Sequence, residues 1–133
     1  MQVGIMDIVT KKQLNILIQL AEADKHFAKS ERDMIFRIAK DRNFSEEEVT
    51  QLIRHPEPID TLGALSHEQK FEYLHACISL IHVDHHLFES ELIFCKSIAI
   101  KLGFKKNAVD FFVDNFQKMP LESIKTKLLA EYL

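Results

Sequence analysis

The chain has 133 residues, 47% of them hydrophobic and 28% charged, with a formal net charge of −3. That length suits one domain with its own core, since folding at this size buries somewhat under ~70% of the surface an unfolded chain exposes. The mild acidity argues against a broad footprint for nucleic acid or an anionic membrane, and no apolar run approaches the ~20 residues that span a bilayer.

The N-terminal stretch MQVGIMDIVTKK lacks the basic region and long apolar run of a signal peptide, so a cytoplasmic location is expected. Leu14, Leu17, Ile18 and Ala21 then recur at i, i+3, i+4 and i+7, the stripe of an amphipathic helix. The pattern breaks near Asp24. Ser30 reads as the N-cap of a second helix, with Glu31 in its first turn where the helix dipole favours an anion. Met34, Ile35, Ile38 and Ala39 are its apolar face. Ser45 and Glu48 form a capping box that opens a third helix carrying Val49, Leu52 and Ile53. His55-Pro56-Glu57-Pro58 ends it, because proline stops a helix and extends the residue before it.

Ile59–Leu65 has the length of one short helix. Ser66 and Gln69 make another capping box and start a long helix with Leu74, Cys77, Ile78 and Ile81 inward. After Asp84, Ser90 again reads as an N-cap and Glu91 as a first-turn acid. Phe94, Cys95, Ile98, Ala99 and Leu102 continue that helix, and Val109, Phe112, Val113 and Phe116 mark the next. Pro120 suits a helix start, followed by Leu121, Ile124 and Leu128. Cys77 and Cys95 both sit at apolar helix positions and read as small buried hydrophobes in a reducing compartment.

The same plan occurs twice. Leu20–Thr50 aligns without gaps on Leu80–Asp110, 60 residues later, with nine of 31 positions identical, against about two for unrelated segments. The expected fold is therefore all-α: a single domain, 1–133, of seven or eight helices built from two tandem pseudo-symmetric three-helix repeats at about 10–54 and 70–116, plus a C-terminal helix at about 120–133. A three-helix unit of ~45 residues is marginal alone, so the two are expected to pack against each other as halves of one domain.

Apolar identities serve a repeated core. The pairs Asp24/Glu31 and Asp84/Glu91 are not required by packing. If the halves pack about a pseudo-twofold axis, four carboxylates converge, and hard cations such as Ca²⁺ or Mg²⁺ prefer such oxygen ligands. The plainer reading of the same residues is helix-dipole pairing and turn formation. A second cluster, His82, Asp84, His85 and His86, has the side chains that Zn²⁺ and other transition metals take, and would serve a metal-dependent hydrolase. No nucleophile elbow, phosphate-binding loop or dinucleotide-binding glycine run is present.

The segments Ala21-Glu22-Ala23-Asp24-Lys25-His26-Phe27 to Glu31, and Ile81-His82-Val83-Asp84-His85-His86-Leu87 to Glu91, resemble the TerB-like family, named for a bacterial tellurite-resistance protein and also found fused to J-domain membrane chaperones. Lys25 and His85 stand where many relatives carry glycine. The resemblance spans about residues 10–115. It implies an all-helical fold with internal duplication, no defined enzymatic activity, and an acidic surface that binds a metal or docks partners in stress-response complexes through Asp24, Glu31, Asp84 and Glu91. The alternative is a helical scaffold without metal, binding a protein partner or a second copy around Phe111 and the last helix.

Overall fold

The computed structural model describes residues 8–23, 28–59, 62–83 and 89–133. Every regular element among them is a helix, seven in all: α1 (Ile8–Ala21), α2 (Lys29–Asp41), α3 (Glu46–Arg54), α4 (His67–His82), α5 (Glu89–Leu102), α6 (Asn107–Asn115) and α7 (Leu121–Glu131). None of these helices is long and apolar enough to cross a membrane. The stretch from Ile59 to Leu65 does not add an eighth helix among the described residues: Ile59 is irregular and residues 62–65 form a turn. Gly63 lies within that turn, and so short a segment cannot offset the cost of nucleating a helix. The Leu62 N–H instead donates to the Lys101 carbonyl at 3.1 Å, which ties the turn to the end of α5.

α1 and α4 form the axis. α1 is buried nearly all round, through Leu14, Ile16, Leu17, Ile18, Leu20 and Ala21 together with polar Thr10, Gln13 and Asn15. α4 buries Phe71, Tyr73, Leu74, Cys77, Ile78, Leu80 and Ile81. A helix apolar on most sides belongs inside a bundle, and these two pack on each other; the Tyr73 hydroxyl also donates to the Val9 carbonyl. α2 and α5 each touch both central helices but not each other. α3 completes the α1–α2 side, while α6 and α7 cover α4 and α5.

The local signals at the helix starts follow from side chains a few residues away. Ser45 Oγ accepts the Glu48 N–H at 3.1 Å while Glu48 Oε1 accepts the Ser45 N–H at 2.8 Å. Ser66 and Gln69 exchange the same pair at 3.1 and 3.0 Å. Ser30 and Ser90, by contrast, are not N-caps. α2 starts at Lys29 with Ala28 as its N-cap, and α5 starts at Glu89, so both serines are second helical residues. The reason is visible in α2, where Glu31 reaches back to accept the Ala28 N–H at 3.1 Å, the glutamate's half of a capping box.

α2 and α5 also end alike. Asn43 and Gly103, 60 positions apart, are the two residues with positive φ among the described residues, at 65° and 100°. Just beyond them the Phe44 N–H reaches the Ala39 carbonyl and the Phe104 N–H the Ala99 carbonyl, both at 2.8 Å. This i to i−5 bond around a left-handed residue is the Schellman termination, and it needs glycine or asparagine at the turning position.

Two long-range ties close the ends. Between Pro56 and Pro58, neither of which has an N–H, Glu57 is the one backbone donor. Its N–H donates to Asn15 Oδ1 at 2.9 Å. Its carbonyl accepts from Asn15 Nδ2 at 2.9 Å and from Gln19 Nε2 at 2.7 Å. At the C-terminus the Lys105 N–H donates to the Tyr132 carbonyl at 2.7 Å, and the Tyr132 ring stacks on Phe111 at 5.2 Å. Phe111, which the sequence marks as a partner surface, is thereby half-buried beneath the chain's own tail.

The Schellman ends generate a stability prediction. Gly103→Ala forces a Cβ into the left-handed region and is expected to cost about 1–2 kcal/mol, whereas Asn43→Gly should stay within about 0.5 kcal/mol of wild type. Urea denaturation of the two variants checks this, and an equal cost for both would contradict it.

Candidate functional site

Glu31 and Glu91 are each the third residue of their helix, and each is only 1% exposed. An ionised carboxylate in an interior is costly unless hydrogen bonds and opposite charge compensate it. The first turn of a helix supplies part of that compensation, through its free N–H groups and the positive end of the dipole. For Glu31 one such bond is the Ala28 N–H to Oε1. The two glutamates stand on helices that do not contact one another. Asp24 lies in 24–27 and Asp84 in 84–88, outside the described residues. Among the described residues, no three His, Cys, Asp or Glu side chains gather as a metal-holding group.

Glu91 faces a sulfur pair. Cys95, one turn on, is a buried free thiol, as is Cys77 across on α4. The Cys95 thiol is pushed well above its ordinary pKa, first by its hydrogen bond with Cys77, then by burial and by the fields of Cys77 and Glu91. A thiol so held stays protonated and is a poor nucleophile, in keeping with a packing role.

The histidine cluster divides. His82 lies at the end of α4, and its Nδ1–H donates to the Ile78 carbonyl at 2.7 Å. Because a carbonyl can only accept, that bond puts a proton on Nδ1. The ring stacks on Phe116 at 4.4 Å. It borders a hollow of about 270 Å³ that Asp114, Gln117 and Lys118 also line. Asp84, His85 and His86 fall in 84–88, outside the described residues.

Two features escape a sequence reading. His75 sits in an aromatic row between α4 and α6, stacked against Phe71 at 5.8 Å and Phe112 at 6.0 Å. The available signal is the spacing Phe71, His75, His82 on one helix face. Asn15 is the other: a polar residue inside the apolar run LNILIQL signals a buried hydrogen-bonding duty, but not its partner 42 residues away.

No protein-family model matches the chain, and neither does any curated protein or solved structure.

Burial holds the His75 pKa below its ordinary 6.5, so the neutral ring belongs to the folded core. As pH falls through 6.5 the unfolded chain takes up a proton that the folded chain resists. The stability associated with this group is therefore full above that pH and is lost below it. His75→Phe, which keeps the stack, is expected to lower the melting temperature less on going from pH 7 to about 5 than wild type does. Thermal scans across that range check it, and an equal slope would contradict it.

Proposed function

We propose that this chain is a non-catalytic helical domain of the TerB-like type, made of two tandem pseudo-symmetric three-helix repeats. Its duplicated acidic residues Asp24, Glu31, Asp84 and Glu91 bind a divalent cation, and through it a partner protein, in a stress-response setting. The observation that carries this reading is the matched burial of Glu31 and Glu91, 60 residues apart and at the same position of α2 and α5. The matched endings at Asn43 and Gly103 favour the duplication behind it.

Capping a helix requires one oxygen of a glutamate and does not require full burial, since the capping glutamate Glu48 of α3 is only half-buried. A second role for Glu31 and Glu91 accounts for the difference. Carboxylates that share a site repel unless a cation sits among them. An all-oxygen donor set suits Ca²⁺ or Mg²⁺ better than Zn²⁺, which takes nitrogen and sulfur more readily.

The test is a melting curve of chelator-treated protein with and without Ca²⁺, Mg²⁺, Mn²⁺ and Zn²⁺, beside Asp24→Ala and Asp84→Ala. A cation at a hundred times its dissociation constant adds about 2.7 kcal/mol, a rise on the order of 10 °C for a domain of this size. The expected result is such a rise for Ca²⁺ or Mg²⁺, lost in both variants. No rise with any cation, or a rise that both variants keep, would overturn the proposal.

A further inference from the structure

α5 is apolar on two sides. Its inner side packs Cys95, Ile98, Ala99 and Leu102 into the core. Its outer side carries Glu89, Ile93, Ser97 and Ile100, all exposed. At 3.6 residues per turn these four form one stripe along the helix. Ile93 is 61% and Ile100 57% exposed. Single exposed apolar residues are ordinary, but two isoleucines seven apart on one stripe have the spacing of a helix-pairing seam. Isoleucine is also a poor choice for a solvated helix position, because its branched side chain loses rotamer freedom there. On α2 the positions 60 residues earlier are Asp33, Arg37 and Lys40, all exposed and charged. The same face of the same kind of helix is thus solvated on α2 and apolar on α5.

We propose that this stripe is a self-association surface, on which two copies of the chain pack α5 against α5, antiparallel, about a twofold axis near Ser97. Charge selects the occupant and the orientation. The N-terminal end of the stripe is acidic at Glu89, while Lys101, Lys105 and Lys106 are exposed at and just beyond its C-terminal end. Lys70 adds its ammonium there, beside Gly103. Antiparallel pairing lays the acidic end of each copy over the basic end of the other and opposes the helix dipoles favourably. It sets Ile93 against the second copy's Ile100, twice by symmetry, as an isologous contact demands. Parallel pairing would place lysines against lysines. Ser97, small and central, lets the two backbones approach. The contact is short and lies at the weak end of protein interfaces. This inference does not depend on cation binding and stands or falls separately.

Sedimentation equilibrium over a concentration series, up to about 1 mM, tests it with the full chain. Wild type is expected to rise from 15.5 kDa toward twice that mass. Ile93→Glu and Ile100→Lys, each at an exposed position and so folding as wild type does by circular dichroism, are each expected to weaken association at least tenfold. The double variant Ile93→Glu/Ile100→Lys should regain it, because the two new charges face each other across the axis. Ser97→Cys should form an intermolecular disulfide under mild oxidation, and Arg37→Cys, at the matching position of α2, should not. A wild type that stays at 15.5 kDa throughout overturns the proposal. So do single variants that associate as wild type does, a double variant that stays monomeric, or equal cross-linking from positions 97 and 37.

Discussion

The burial of two glutamates at helix starts is the constraint around which the rest of this fold is arranged. A carboxylate loses several kcal/mol of hydration on entering a protein interior, and few backbone positions offset that loss. The third residue of a helix is one, because it faces the free N–H groups of the first turn and the positive end of the dipole. Glu31 and Glu91 both occupy it. In α2 it goes with Ala28 as the N-cap, and Ser30 falls inside the helix as its second residue. In α5 it places a carboxylate one turn from Cys95, where its field helps keep a buried thiol protonated.

The central helices make that burial possible. α1 and α4 are apolar on most of their surface and accept neighbours on several sides. α2 and α5 can therefore each touch both of them without touching each other. The bundle is closed by polar ties at its margins. Asn15 and Gln19 hold the proline-flanked Glu57 between α3 and α4, and the Lys105 to Tyr132 bond draws the tail over Phe111. The two halves then diverge on their outer faces, where α2 carries alternating charge and α5 carries isoleucine. Inward positions 60 residues apart on α2 and α5 are alike in character, such as Ile38 and Ile98 or Ala39 and Ala99, while the outward ones differ.

The parts of this structure that the sequence reveals are those whose causes are local. The helical stripes, the capping boxes at Ser45 and Ser66 and the seven helices follow from spacings of three to seven residues. Ser30 misleads because serine is the commoner cap, while Glu31, one position on, reaches back to the Ala28 N–H instead; Ser90 likewise falls second in its helix. The Asn15 clamp on Glu57 spans 42 residues, and no local pattern encodes it. Phe111 reads as an outward residue because the tail that covers it is 21 positions away (132 − 111). Of the candidate cation ligands, Glu31 and Glu91 are buried at the starts of α2 and α5. His82 shows an Nδ1–H bond to the Ile78 carbonyl and an aromatic neighbour.

The central claim is that the buried acids serve a cation as well as a helix start. Calorimetric titration of Ca²⁺ and Mg²⁺ into wild type and into Glu31→Gln/Glu91→Gln tests it most directly. Glutamine keeps an oxygen that can accept the Ala28 N–H, while it removes the charge and turns the second oxygen into an amide NH2, so capping and cation binding are separated. The account predicts a saturable binding heat in wild type and its loss in a double variant that remains helical and folded. An equal heat in both proteins, or none in wild type, would contradict it.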